Sequence, residues 1–185
     1  MPYANNNYRT DIMLQEEEFE IFDTDGALIG RLPRSRVHAE GQWHKSAHVF
    51  LFNSVGRLWV QRRAADKDIC GGLWDYSVGE HLRPGESYLQ AAHRGLEEEL
   101  GLRDVALLRF GAIQRARNEL PELGILDCEL QQAFKGVHDG PLLPDSVEVA
   151  EVRVVSPAAL EDWIATEPDQ FTPWFRRDLV SYGIL

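Results

Sequence analysis

The stretch AHRGLEEELG, Ala92–Gly101, decides how the rest of the chain is read. Leu89, Ala92, Leu96 and Leu100 recur at helical spacing, so one face of the segment is apolar and is expected to meet the core. Ser87 stands ahead of it as an N-cap with Gln90 as its capping-box partner, and Gly101 follows as a residue suited to a left-handed C-terminal stop. The spacing predicts a helix over Tyr88–Leu100. Two of its features oppose stability. Gly95, in the interior, costs about 0.5–1 kcal/mol relative to alanine. Glu97, Glu98 and Glu99 repel one another unless something positive lies against them. Both faults in one short segment point to selection for chemistry.

Outward from this helix the chain alternates strands and turns. EFEIFDTDGALIGRLP reads as a hairpin turning at Asp23–Gly26, and SAHVFLFNSVGRLWVQRR as a second, turning at Asn53–Gly56. WDYSVG reads as one short strand ending at Gly79. Further strands are expected near Ala106–Ile113, Ile125–Phe134 and Val147–Val155, and two closing helices near Ala158–Thr166 and Pro173–Tyr182. Strands interspersed with a few helices indicate an α/β layered fold.

At 185 residues, without repeats or a linker, the sequence implies one domain over 1–185, with about residues 1–15 a flexible tail on their asparagine-rich composition. No apolar run reaches membrane-span length, and the start lacks the pattern of a signal peptide, so a cytoplasmic location is expected. Cys70 and Cys128 are read as buried or free thiols. The formal net charge of −11 argues against nucleic-acid polymers and anionic membranes. It is compatible with a phosphorylated small molecule bridged to the protein by a divalent cation.

The acidic helix suits such a cation. Glu98 and Glu99 are adjacent and can flank one ion, Arg94 can pair with Glu98 along the same face, and Glu86 lies just before the helix. Hard carboxylate oxygens favour Mg²⁺ or Mn²⁺. Asp127 and Glu129, two apart on a predicted strand, share a face and could serve a metal or a water-activating base. Arg62, Arg63 and Lys67 can orient a diphosphate.

With Glu86, Arg94, Leu96, Glu98, Glu99, Gly101 and Leu102 in register, this segment resembles the Nudix box, G-x5-E-x7-R-E-U-x-E-E-x-G-U, where U is a bulky aliphatic residue. The resemblance implies a Nudix-fold α/β/α sandwich with a mixed β-sheet. It further implies a metal held by Glu98, Glu99 and the Gly79 carbonyl, with Glu86 at its edge and Glu129 as a further ligand or base. Two box positions depart. Glu80 stands at the first glycine and Gly95 at the first glutamate of the helix. Either Glu129 takes over the missing carboxylate's role, or the space above Gly95 is filled by a substrate group or by Glu80. The first is the expectation, and it predicts that Gly95→Glu is tolerated.

Beyond the box, from roughly Phe19 to Phe175, the chain is similar to the branch containing isopentenyl-diphosphate isomerase and its hydrolase relatives. The matching residues include His44, Gln61, Arg62, Arg63, Lys67, Trp74, Ser77, His81, Gly85, Glu86 and the segment FTPWF. His38, His44 and His81 match metal-binding positions of the isomerase, whereas Gly79 stands where it carries its catalytic cysteine. The resemblance therefore implies a Mg²⁺- or Mn²⁺-dependent hydrolase of a diphosphate linkage in a nucleoside-diphosphate-like substrate, with isomerase activity or a catalytically weak binding module as alternatives. It leaves oligomeric state open, a homodimer being common in the family.

Overall fold

A computed structural model describes residues 16–185 of the chain. The expected N-terminal tail over 1–15 lies outside the described residues. Strands β1 (Glu18–Phe22) and β2 (Leu28–Pro33) form the first hairpin, followed by helix α1 (Arg34–Glu40), which the sequence pattern did not reveal. Strands β3 (Trp43–Phe52) and β4 (Leu58–Arg63) form the second hairpin. After β5 (Trp74–Asp75) and β6 (Val78–His81) comes α2 (Tyr88–Leu100), then β7 (Leu108–Leu120), β8 (Ile125–Val137), β9 (Val149–Val155), α3 (Pro157–Thr166) and α4 (Pro173–Ser181).

The strands belong to one mixed sheet organised around β3, which pairs antiparallel with β1, β4 and β6 and parallel with β8. Period-2 alternation sorts β3 into two faces. Ala47, Val49 and Leu51 pack with Val78 and with Ala92, Leu96 and Leu100 of α2. Phe50 packs on the opposite side with Phe175 and Leu179 of α4 and Leu160 of α3. The layers are therefore helix, sheet and helix, as the sequence implied.

Helix α2 matches its predicted bounds and caps. Ser87 accepts from the Gln90 backbone, the capping box closes, and Gly101 adopts φ 66°. Leu89 departs from expectation. It is exposed, and in the first turn Tyr88 packs against the core instead. The segment read as one strand, WDYSVG, is two. The β3–β4 ladder covers only Leu51–Phe52 against Leu58–Trp59 before the two strands diverge. Ser77 sits at this fork, accepting from the Leu51 backbone N–H (2.8 Å) and donating to the Trp59 carbonyl (2.6 Å). Below it β5 pairs with β4, and β6 with β3.

The fork carries α2 close to β6. Val78 and Glu80 alternate toward the helix, and Gly95 faces them. A Cβ at position 95 would lie 2.4 Å from Val78 Cγ1 and 2.5 Å from Glu80 Cγ. The space above Gly95 is thus occupied by Glu80, and the expectation that a side chain would be tolerated there is corrected. Val78 is fully buried in the packed core and has little room to yield.

Gly95→Ala is accordingly expected to lower the melting temperature. Overpacking costs about 1–3 kcal/mol, against a helix-propensity gain of about 1 kcal/mol. Thermal unfolding monitored by circular dichroism, without added divalent ions, measures the balance; a clear rise would contradict the close contact.

Candidate functional site

Alternation along β6 builds a site with two halves. Glu80 faces α2, whereas Gly79 faces the other side of the sheet, where a Cβ would meet Tyr76 (3.6 Å) and His48 (4.0 Å). Arg34, Arg63, Gly79, Glu80 and His81 line both of the cavities that meet here.

The acidic half is a cavity of about 760 Å³ whose walls include Gln61, Lys67, Arg83, Arg94, Glu98 and Glu99. Arg94 organises it, reaching Glu80 (2.8 Å), both Glu86 oxygens (3.0 Å), Glu98 (3.2 Å) and the His81 carbonyl (2.8 Å). Glu99 is only 7% exposed and accepts from Gln61 Nε2 at 2.6 Å. Burial, then the nearby charge of Glu80, pushes its carboxyl well above the ordinary carboxylate value, against the Gln61 hydrogen bond. Glu80 is pushed up to about 7 by burial, with Arg94 opposing. Two carboxyls that resist ionisation side by side are a setting that a hard divalent cation would relieve.

In the other half, the smaller cavity of about 70 Å³, ligand atoms of His38, His44, His81 and Asp127 lie within 4.8 Å of one another. His44 Nδ1 meets the Gln42 carbonyl at 3.0 Å, and when it donates there Nε2 is left as a lone-pair donor. Among the described residues, Nε2 of His38, Nε2 of His44 and Oδ1 of Asp127 are buried without hydrogen-bond partners. Orphaned donors converging on one point fit a metal ion, because leaving them bare costs the desolvation of each. His38 is pushed down to about 4 by burial, then by His81 and His44, so it stays neutral as a ligand must. Burial and His44 likewise hold His81 well below the usual range.

Glu129 borders this cluster, 3.5 Å from His81 Nε2 and 3.9 Å from His48 Nε2. On its far side His48 Nδ1 lies 3.7 Å from Asp178, a buried carboxylate that also accepts from Gln131 (2.9 Å), Arg177 (2.7 Å) and the Tyr76 hydroxyl. Burial opposes the imidazolium, but Asp178 and Glu129 more than offset it and raise His48 above its ordinary value.

The candidates picked from sequence divide between the halves. Glu98, Glu99, Arg94 and Lys67 line the acidic cavity, Glu129 the histidine cavity, and Arg63 and Gly79 both. Glu86 is not among the lining residues; it accepts from Arg94 and from the Arg83 backbone, and so acts as a clamp on Arg94. Arg62 lines neither cavity and pairs with Glu151 at 3.3 Å. Trp74 is core, and Trp174 reaches Asp75 through its indole N–H at 3.0 Å. Sequence reasoning gave no site role to His48, Asp178 or Arg34. The paired departures from the box at Glu80 and Gly95 were the sequence signal for Glu80.

Residues 42–175 match the NUDIX domain model. The chain is 38% identical over 173 residues to an isopentenyl-diphosphate Delta-isomerase of Burkholderia multivorans, covering 91% of this chain and 94% of that one. It is also 38% identical over 142 residues to an uncharacterized Nudix hydrolase of Pseudomonas aeruginosa, covering 76% and 79%. Among solved structures, DR0079 from Deinococcus radiodurans superposes with a TM-score of 0.66 at 21% identity, covering 81% of this chain and 90% of that one, a likeness of fold.

Glu80 gives the site a pH signature. Its carboxyl is raised from 4.5 to about 7 in the folded chain, so between those values the unfolded chain binds fewer protons and stability falls as pH rises. Glu80→Gln removes this contribution. Without divalent ions, the melting temperature of the variant relative to the parent is expected to shift upward as pH rises from 4.5 to about 7 and then to level off. A difference independent of pH would contradict the burial of an ionisable Glu80.

Proposed function

The chain belongs to the NUDIX domain family, and on that premise we propose that it is a Mg²⁺- or Mn²⁺-dependent hydrolase of a diphosphate linkage in a nucleoside-diphosphate-like small molecule. The observation that carries this reading is the buried Glu99 carboxyl in a cavity that also holds Lys67, Arg63, Arg34 and Arg83. Carboxylates suit the metal and the cations suit the phosphates.

In this reading Glu98, Glu99 and the Gly79 carbonyl hold the cation, while Glu86 fixes Arg94 and Arg94 fixes Glu98. The bound ion would supply charge neutralisation on the phosphoryl oxygens and lower the pKa of the attacking water. Arg63 and Lys67 orient the diphosphate, although their present partners, Asp75 and Glu148, must share them with the substrate. Glu129, beside His81 and His48, is the candidate to accept the water's proton or to bind a further ion.

Isomerisation of isopentenyl diphosphate is the second reading, favoured by the histidine cluster and by the names of relatives such as the Burkholderia protein. It needs a proton-carrying group on each side of the substrate, and Gly79 has no side chain where the resemblance puts the isomerase cysteine. Two measurements separate the readings. A panel of nucleoside and isoprenoid diphosphates with Mg²⁺ or Mn²⁺ is expected to release phosphate-containing products, with Glu98→Gln and Glu99→Gln each lowering the rate by about 10²-fold or more. Isopentenyl diphosphate in heavy water is expected to gain no deuterium through the enzyme; ready incorporation would overturn the hydrolase reading.

A further inference from the structure

We propose that Glu80 supplies, from strand β6, the metal-facing carboxylate that helix α2 lacks at Gly95, so that Glu80 and the side-chain oxygen of Gln61 on β4 join Glu99 in holding the cation between the sheet and the helix. The inference rests on the metal-dependent reading above and names ligands that reading does not.

Geometry carries it. Glu80 Cγ lies 2.5 Å from where a Cβ at position 95 would stand, so the Glu80 side chain passes through the space that a position-95 side chain would use. The glycine and the glutamate have exchanged places across the helix–strand contact. Glu80 and Glu99 line the same cavity. Arg94 takes one Glu80 oxygen, Oε2, at 2.8 Å; among the described residues Oε1 accepts no hydrogen bond.

Gln61 gives an independent sign of a ligand. It is 3% exposed and lines the same cavity, its Nε2 is committed to Glu99, and its Oε1 is buried without a hydrogen-bond partner among the described residues. A buried carbonyl oxygen left bare costs about 1–3 kcal/mol, and a hard cation is the partner that a carbonyl and two carboxylates together call for. Pairing with Arg94 alone does not account for Glu80. That guanidinium also serves Glu86 and Glu98, the latter shared with Arg83, so Glu80 and Glu99 are left with one hydrogen-bonded partner each, Arg94 and Gln61, and a divalent cation would bind both carboxylates at once.

Isothermal titration of the stripped full-length protein with Mg²⁺ tests the assignment, Mg²⁺ being chosen because its preference for oxygen keeps it from the histidine cluster. Glu80→Gln is expected to weaken binding by about tenfold or more, as Glu99→Gln does, while circular dichroism still reports a cooperative melt. The triple variant Val78→Ala, Glu80→Gly, Gly95→Glu returns the carboxylate to the helix and opens room for it. It is expected to recover most of the lost affinity, and it decides the matter should Glu80→Gln fail to fold. Parent-like affinity in Glu80→Gln with loss in Glu99→Gln would overturn the role of Glu80 and leave the hydrolase reading standing. Parent-like affinity in both would overturn the metal site itself. A folded triple variant no better than Glu80→Gln would also overturn the exchange.

Discussion

The site depends on one close approach, that of helix α2 to strand β6 at Gly95. Ala91, Ala92 and Gly95 give the helix a small-residue face, and Val78 and Glu80 press against it. Because no Cβ intervenes, the axis of α2 can settle near the strand. Glu99 then lies buried beside Gln61 on β4 instead of on a solvated helix surface. The glycine that weakens the helix as an isolated segment is what lets its carboxylates reach the sheet. Local propensity is given up for tertiary placement, a pattern expected where chemistry and not stability fixed the residue.

A second constraint follows from the pleat of β6. Consecutive residues point to opposite faces, so Val78 and Glu80 turn toward α2 and the acidic cavity while Gly79 opens toward His48 and Tyr76. The fork at Ser77 makes this possible. By satisfying Leu51 and Trp59 where the β3–β4 ladder ends, the hydroxyl lets a two-strand insertion enter the sheet without leaving backbone groups bare. Two donor sets of different chemistry, carboxylate on one side and imidazole on the other, are thereby separated by a single strand.

Helix α4 ties the C-terminal region to the same place. Asp178 is fully buried, and its hydrogen bonds to Tyr76, Gln131 and Arg177 fix it beside His48. A buried carboxylate so thoroughly satisfied stays ionised, and together with Glu129 it raises His48 above its ordinary value. The polar network replaces what would otherwise be continuous apolar core between α4 and the sheet, and such networks stabilise only when each member finds its partners.

The sequence by itself determined the elements governed by local rules. The span of α2, its capping box and its Gly101 stop follow from backbone hydrogen bonding within a few residues, and both hairpin turns follow from their Asp, Asn and Gly signals. The motif spacing in turn identified the family and the acidic helix. What only the tertiary structure decided is which side chains share a cavity. Arg62 and Arg63 are neighbours in sequence, yet only Arg63 lines the site, because alternation sends them to opposite faces. Glu86 and Glu98 read alike as acidic residues and both meet Arg94 and Arg83, but only Glu98 lines the acidic cavity. His38 became part of a four-residue cluster through α1, whose short span the sequence pattern did not reveal. Above all, the exchange between Glu80 and Gly95 joins residues fifteen positions apart. Spacing along a chain cannot specify contact across a helix and a strand, which is set by where the packed core brings the two backbones together.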